Sequence, residues 1–197
     1  MSDVVVGDDG VARCWWGASD PLYRTYHDHE WGRAIRDDPG LFERISLEAF
    51  QSGLSWLTIL RKRPAFRAVF SGFDIPVVAA FDDDDRARLL DDAGIVRNRA
   101  KIDATIANAR ATLALQADGS TLTELLWSFA PDERAAPETA AEVPATTPES
   151  TAMARALKAR GFRFVGPTTC YALMQAVGMV DDHLSGCDAR RISASGS

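Results

Sequence analysis

The sequence has 197 residues, a length that suits one domain or two closely packed lobes with a substantial buried core. Its hydrophobic fraction of 46% and charged fraction of 25% are ordinary for a globular protein, and no apolar run reaches the roughly 18 residues that span a bilayer. The formal net charge of −6 excludes a nucleic-acid binder that relies on overall positive charge, so any such contact requires local basic patches.

The first residues and the cysteines bear on the cellular compartment. Residues 1–10 are polar, lack the basic and apolar regions of a signal peptide, and are predicted to form a loose extension. The three cysteines, Cys14, Cys170 and Cys187, are odd in number and widely spaced, so a disulfide framework is not expected. A reducing, cytoplasmic location without a membrane partner is therefore predicted.

Helical periodicity and capping signals predict an all-α fold. Asp38 followed by Pro39 is typical of a helix N-cap with proline at the first helical position. A single domain is predicted over 11–188, and a disordered tail over 189–197. The predicted elements, in chain order, are helices at 41–49 and 56–60, two short helices within 75–92, helices at about 97–117 and 122–129, a surface loop at 131–150, a helix from Thr147-Pro148 to a C-cap at Gly161, and an apolar helix at 167–180.

Cysteine and histidine pairs at the two ends of the chain have the spacing of a metal site. Cys14 and His27 are separated by twelve residues, and His183 and Cys187 by three, so each pair could direct two side chains at one ion. Two thiolates and two imidazoles complete a closed tetrahedral zinc shell, which predicts a structural zinc that ties the chain ends together. The spacing alone also allows His29 as the ligand, or no metal at all.

An acidic residue and several aromatic residues predict a pocket. Glu48 lies in the otherwise apolar segment 47–56, where a carboxylate must be paired, hydrogen-bonded or functional. Aromatic walls with one acidic group suit a flat, cationic ligand through stacking and cation–π attraction. The alternative is a core of aromatic residues with an ordinary salt bridge at Glu48. The aromatic residues that could form the walls are Tyr23, Tyr26, Trp16, Trp31 and Trp56.

The segment 89–102 has the pattern of a helix, a Gly-centred hairpin and a second helix. The amide groups of the second helix's first turn could bind a phosphate, and Arg97, Arg99 and Lys101 add positive charge. The segment lacks the Pro-Gly-hydrophobic-Gly core that is usual in helix-hairpin-helix elements, so a helix C-cap at Gly94 before a solvated helix start is the alternative. A second basic stretch without acids could follow the same DNA strand and comprises Arg155, Lys158, Arg160 and Arg163.

Ordered motifs along residues 11–188 resemble the 3-methyladenine DNA glycosylase I family of bacteria. The long N-terminal extension, His29 and the short tail after Cys187 depart from the family pattern, but none of them touches the pocket. The matching motifs are Cys14-x-Trp16, Asp20–Tyr23, Tyr26–Asp28, Glu30–Gly32, Leu47–Glu48, Gln51–Trp56, Asp92–Ile95, Lys101–Ile102, Trp127–Phe129, Gly161–Phe162, Phe164–Gly166 and Asp182–His183.

The resemblance implies a helix-hairpin-helix glycosylase fold and a role for each site residue. It places the zinc ligands at Cys14, His27, His183 and Cys187, which removes His29. Base recognition falls to Glu48 and Tyr26, while Gly53 and Leu54 occupy the loop that probes the gap left by a flipped nucleotide. The residues implied to contact the base by stacking or lining are Trp56, Tyr23, Trp16 and Trp31, and those expected at the DNA backbone are Gly94, Arg97, Arg99 and Lys101.

The implied activity is hydrolysis of the N-glycosidic bond of 3-methyladenine in double-stranded alkylated DNA, by base flipping and recognition of a cation. Strand-cleaving activity is not expected, because no motif for a lysine nucleophile is present. The protein is also expected to be a monomer. Two other readings explain part of the sequence. A zinc-stabilised DNA-binding module leaves the acidic pocket unexplained, and a zinc hydrolase would need an open coordination position.

Overall fold

The computed structural model describes residues 3–190, which fold into nine helices and one short β-hairpin. No helix in this part of the chain is long and apolar enough to cross a membrane. The elements are β1 (Val4–Val6), β2 (Ala12–Cys14), α1 (Pro21–His29), α2 (Asp38–Gln51), α3 (Trp56–Val69), α4 (Ile75–Ala79), α5 (Asp83–Asp91), α6 (Arg99–Ala117), α7 (Leu122–Trp127), α8 (Pro148–Ala159) and α9 (Pro167–Ala176), with 3-10 turns at Ser71–Phe73 and Ala140–Glu142.

Helix α2 lies at the centre of the domain. It packs against α3, α6, α7 and α9, and every residue from Leu41 to Phe50 except Glu43 is buried. A helix that is enclosed on all sides has no solvent face on which to place polar side chains. The polar residues of α2 are therefore buried among apolar neighbours, and one of them is Glu48.

Capping residues fix where the helices begin, and most of the predicted starts are confirmed. At the start of α8, the hydroxyl of Thr147, the residue before Pro148, accepts a hydrogen bond from Ser150 N. At its end, Gly161 has a positive φ of 87°, which favours glycine. The predicted N-cap of α2 is wrong by one residue, because Asp37 accepts the hydrogen bond from Gly40 N. Asp38 instead accepts hydrogen bonds from Leu122 N and Thr123 N and so holds the start of α7.

The two chain ends are more ordered than the sequence predicts. Residues 4–6 are not part of a loose extension, because they pair with 12–14 in an antiparallel hairpin that places Val4 opposite Cys14. Ala189 is buried beside Cys187, and Arg190 donates a hydrogen bond to the backbone of His183. The rest of the predicted tail, 191–197, lies outside the described residues. The fold is therefore mostly helical rather than strictly all-α.

The surface loop, predicted over 131–150, spans 131–147, because α8 begins at Pro148, the start that its capping residues predicted. It is held at several points rather than free. Ser185 N donates to Pro137 O at 2.9 Å, Ala140 N donates to a carboxylate oxygen of Asp3 at 3.0 Å, and Arg134 is paired with the buried Asp182. The loop therefore packs over the hairpin and the C-terminal segment.

Candidate functional site

A cavity of about 330 Å³ opens between α1, α2, α9 and the C-terminal segment, within the usual range of ligand pockets. All six residues that the sequence assigns to the pocket line it. Its walls also include residues that sequence reasoning missed. The predicted lining residues are Trp16, Tyr23, Tyr26, Trp31, Glu48 and Trp56, and the missed ones include Trp15, Gln51, Ala140, Val143, Gln175 and Asp182.

Glu48 projects into this cavity from the buried helix α2. It is 5% exposed, and no group within residues 3–190 donates a hydrogen bond to its carboxylate. Burial raises the pKa of Glu48 to about 7, although the positive charge of Arg44 one turn earlier opposes that rise. A buried carboxylate with unused acceptor oxygens is prepared to bind a donor or a cation.

Aromatic rings enclose the carboxylate. Trp16 lies at the centre of the group, with ring centroids 5.0 Å from Trp31 and 5.6 Å from Tyr23 in edge-to-face geometry. The ring centroids of Tyr26 and Trp56 lie 5.5 Å apart. Tyr23 is fixed by its hydroxyl, which accepts a hydrogen bond from Leu57 N at 3.0 Å. These contacts hold the ring faces in place before any ligand binds.

A partly buried network of charged side chains lies beside the pocket, and sequence reasoning missed it. Arg44 donates to the hydroxyl of Tyr26 at 3.1 Å and lies 3.6 Å from a carboxylate oxygen of Glu30. Arg63 forms a two-pronged ion pair with Glu30, one contact of which is 2.8 Å. The partners come from α2, α3 and the end of α1, so only the packing of the helices brings them together.

The four predicted metal ligands meet beside the pocket. Cys14, His27, His183 and Cys187 are all buried, and their ligand atoms lie within 4.8 Å of one another. Cys187 Sγ lies 3.4 Å from His27 Nε2 and 3.6 Å from His183 Nδ1. Tetrahedral zinc with its usual bond lengths places sulfur and nitrogen ligands about 3.6 Å apart. The four side chains could therefore hold one metal ion, and the two distances from Cys187 Sγ are close to those of a zinc shell.

Groups around the cluster orient its ligands. Asp28 lies 2.8 Å from His27 Nδ1 and is itself held by Arg13, while His183 Nε2 lies 3.3 Å from the carbonyl oxygen of Trp31. Such outer partners fix the ring orientation of metal-binding histidines. His29 is exposed at the end of α1 and is not in the cluster, and Cys170 is a buried core thiol. The structure thus settles which histidine joins the group.

The cluster and the pocket share a wall. The Trp16 ring lies 5.0 Å from the His27 ring, and the Trp31 ring lies 4.6 Å from the His183 ring. Two of the aromatic walls therefore rest directly on two of the candidate ligands. Displacement of the cluster would move the walls of the pocket.

The loop that contains Gly53 and Leu54 and the loop 92–98 are both expected to contact DNA, and they lie next to each other. Leu54 is 42% exposed and follows Gly53, whose φ of 79° favours glycine. Lys101, from the start of α6, donates to the carbonyl oxygens of Phe50 (2.8 Å) and Ser52 (2.6 Å). These contacts tie α6 to the loop that contains Leu54.

Lys101 does not have the exposure expected of a phosphate contact. It is 6% exposed, and its ammonium group is occupied by two carbonyl oxygens. Arg97 and Arg99 are exposed. Gly94 has no positive φ, but a Cβ there would lie 3.0 Å from the Ala65 side chain, so this turn packs closely on α3. The lysine therefore holds the loops together, while the arginines face outward.

A buried polar cluster forms the far wall of the pocket. Asp182 has a fully buried side chain that accepts hydrogen bonds from the hydroxyl of Tyr171 at 2.6 Å and from Gln175 Nε2 at 2.8 Å. Arg134, from the loop 131–147, pairs with the same carboxylate. Gln175 and Asp182 line the cavity. No short sequence motif signals this cluster, because its members come from three separate segments.

The fold and the site together define a class of protein: a helical domain with an aromatic pocket for a flat, cationic ligand next to a two-cysteine, two-histidine cluster. A sequence model of the methyladenine glycosylase family matches residues 15–191, and the chain belongs to that family.

Individual relatives agree with this assignment. DNA-3-methyladenine glycosylase 1 of Escherichia coli is 49% identical over 179 residues, which cover 90% of this chain and 96% of that protein. A solved structure of 3-methyladenine DNA glycosylase I is similar with a TM-score of 0.87 and 48% identity, covering 89% of this chain and 98% of that one. A structure that describes 3-methyladenine recognition by the Staphylococcus aureus enzyme has a TM-score of 0.84 and 35% identity, with coverage of 90% and 95%.

Proposed function

We propose that this protein is a DNA repair enzyme that removes 3-methyladenine from alkylated double-stranded DNA by hydrolysis of the N-glycosidic bond. The observation that carries the proposal is Glu48, a buried carboxylate without a hydrogen-bond partner among residues 3–190, enclosed by aromatic rings. Relatives that are 49% and 42% identical are named as glycosylases for the same base.

The chemistry of the base explains the pocket. Methylation at N3 makes adenine cationic and weakens its bond to the sugar, so the leaving group is already activated. Glu48 accepts hydrogen bonds from the base and stabilises the positive charge, and this charge moves toward the sugar ring as the bond breaks. Tyr26 orients the base, and Trp56 stacks on it. Cation–π attraction favours the methylated base over neutral adenine.

The reaction needs the nucleotide to leave the double helix. Gly53 and Leu54 enter the gap that the flipped nucleotide leaves, because Leu54 is an exposed apolar side chain at the rim of the pocket helix. Water then adds to the anomeric carbon as the base departs, and a proton is released to solvent. The loop 92–98, with Arg97 and Arg99, binds the DNA backbone in the manner of a helix-hairpin-helix element.

Zinc is the metal that best fits the cluster. Cys14, His27, His183 and Cys187 would hold one ion and leave no position open for water, so its role is to stabilise the lobe in which the chain ends meet. The ligands also support Trp16 and Trp31. The metal takes no part in the hydrolysis.

Base release occurs without strand cleavage. The lysines of the sequence are Lys62, Lys101 and Lys158, and none of them lines the pocket. Lys62 and Lys101 both donate to backbone carbonyl oxygens. A lysine nucleophile is therefore not in place. We further propose that the enzyme acts as a monomer in the cytoplasm.

The test is chromatography of free bases released from randomly methylated duplex DNA by the protein and by Glu48→Gln. The parent protein releases 3-methyladenine, and the folded variant loses activity by at least about 100-fold, the usual minimum effect of removing an electrostatic stabiliser. Release of no base by the folded parent would leave a zinc-stabilised DNA-binding module as the better reading. Unchanged release by the variant would remove Glu48 from its role.

A further inference from the structure

Gln175, near the end of α9, has a polar atom at the pocket that no other group uses. The residue is partly buried and lines the cavity together with Asp182. Its side-chain amide has one donor group and one acceptor group. Nε2 donates to a carboxylate oxygen of Asp182 at 2.8 Å, whereas Oε1 accepts no hydrogen bond from any group within residues 3–190. The carbonyl oxygen is therefore available to a ligand.

The carboxylate of Asp182 determines which way this amide is oriented. The Asp182 side chain is fully buried, accepts a hydrogen bond from the hydroxyl of Tyr171 at 2.6 Å and is paired with Arg134. A carboxylate held by a guanidinium group is an acceptor only. Rotation of the Gln175 amide by half a turn would place Oε1 against it and lose a buried hydrogen bond. The network therefore keeps Nε2 on Asp182 and Oε1 on the opposite side of the amide.

An acceptor with a fixed orientation can distinguish two bases that the rest of the pocket treats alike. Methylation at N3 makes both adenine and guanine flat and cationic, so stacking and cation–π attraction act on both. The two bases differ at position 6, where adenine has an amino group that donates and guanine has an oxygen that accepts. The amino group has two hydrogens, so a bond to Gln175 leaves one for Glu48.

We propose that Gln175 Oε1 accepts a hydrogen bond from the 6-amino group of the flipped base and so selects 3-methyladenine against 3-methylguanine. This role rests on the proposed function for its ligand. In 3-methylguanine the 6-oxygen would face Oε1, and two acceptors would be left without donors. A site built around a hydrogen bond rejects an analogue that lacks the donor far more strongly than an apolar wall does. Asp182 is then a positioning residue, because it acts through Gln175.

The test is the binding of free 3-methyladenine and free 3-methylguanine, followed by quenching of the tryptophan fluorescence of the pocket. Gln175→Met removes the amide and keeps the length of the side chain. We expect its affinity for 3-methyladenine to fall about tenfold, the value of one hydrogen bond, while that for 3-methylguanine does not fall. Gln116→Met is the matched control, because Gln116 is exposed and pairs with Asp38 away from the pocket. It keeps the parent ratio of the two affinities.

Asp182→Asn tests whether the orientation of the amide matters. The new side chain can donate to Gln175 Oε1, so the amide can turn and present Nε2 to the 6-oxygen of guanine. We expect the affinity for 3-methylguanine to rise at least about tenfold. The double variant Gln175→Met with Asp182→Asn has the ratio of Gln175→Met alone, because Asp182 acts through Gln175. If Asp182→Asn does not fold, Gln175→Met decides the question.

Two results for Gln175→Met overturn the proposal: an unchanged ratio of the two affinities, or an equal loss of affinity for both bases. Base release from methylated DNA by the parent protein is measured in parallel. If the parent releases 3-methyladenine while Gln175→Met keeps the parent ratio, only the role of Gln175 is disproved. If the variants change the ratio as expected but the parent releases no base, the pocket is selective and the glycosylase proposal fails. A folded parent that binds neither base overturns both.

Discussion

Glu48 keeps its place at an energetic cost, because its surroundings favour the neutral acid while its proposed role requires the anion. Nothing within residues 3–190 compensates its burial with a hydrogen bond. A cationic base would supply both the charge and the donors that are missing. In its proposed role, the residue would lower the stability of the free protein in return for selectivity toward one kind of ligand.

The cost should be visible as a pH-dependent effect on stability. Burial raises the pKa of Glu48 to about 7 from its ordinary value of 4.5, so the folded protein retains a proton that the unfolded chain has lost. The free energy of unfolding therefore falls as pH rises through this window. We expect Glu48→Gln to gain about 2 to 3 kcal/mol relative to the parent between about pH 5 and about pH 8. Denaturant titrations of both proteins across this pH range measure the difference. A difference in the free energy of unfolding that does not change with pH would contradict the prediction.

Arg44 should set the pH at which the enzyme becomes active. Its positive charge opposes the rise in the pKa of Glu48 that burial causes. We expect Arg44→Met to move the rising limb of the kcat/KM profile upward by about one pH unit, because an opposite charge nearby favours the anion. Arg67→Met, which removes a half-exposed arginine paired with Glu43, is the matched control and leaves the limb in place. An unmoved limb in Arg44→Met would disprove this coupling.

At the scale of elements, each part of the site is positioned by packing between segments. Helix α2 is enclosed on all sides and therefore buries Glu48 at the pocket. Helix α1 supplies Tyr23 and Tyr26, which lie three residues apart and so share a face. The loop 131–147 adds Ala140 and Val143 to the pocket wall. A loop can serve as a wall only if it is held, and Arg134 pairs it with the buried Asp182.

We expect Arg134→Ala to loosen this loop and weaken substrate binding. The variant should show faster amide hydrogen exchange across 137–143 and a higher KM for methylated DNA, while kcat changes less, because Glu48 is untouched. Glu133→Ala is the control, since Glu133 is exposed and has no hydrogen bond or ion pair within residues 3–190. Equal exchange rates in the two variants would show that Arg134 does not hold the loop.

At the scale of the whole molecule, the cluster joins the two ends of the chain. Cys14 is the last residue of the N-terminal hairpin and Cys187 lies close to the last described residues, so one ion would close a loop that includes nearly all of the fold. Closure of a long loop in the unfolded chain is entropically costly, and a bound metal offsets that cost. A metal in the cluster would hold the hairpin and the C-terminal segment to the helices in this way.

We expect one zinc ion per chain by elemental analysis. A chelator or Cys187→Ala should lower the free energy of unfolding by at least about 4 kcal/mol, the stabilisation given by a ligand at a thousandfold excess over its Kd. Cys170→Ala is the control, because this buried thiol lies outside the cluster and its removal costs only core packing. A folded parent protein without bound zinc would refute the assignment of the metal.

The limits of sequence reasoning are clearest at two residues. The spacing allowed either His27 or His29 as a ligand, and the structure brings only His27 into the cluster because the two point in different directions on α1. Lys101 carried a positive charge in a basic segment, but the packing of α6 against the end of α2 buries its ammonium group. In both cases the residue type was visible in the sequence, and its orientation was not.

The sequence by itself determined the helices, most of their starts, the acidic residue in an apolar segment and the residue types of the cluster, because periodicity, capping and short spacings are local properties. Tertiary structure alone decided the network of Arg44, Glu30 and Arg63 and the cluster of Arg134, Tyr171 and Asp182. Those contacts join segments far apart in the chain. Their partners are therefore fixed by how the helices pack and not by any pattern within one segment.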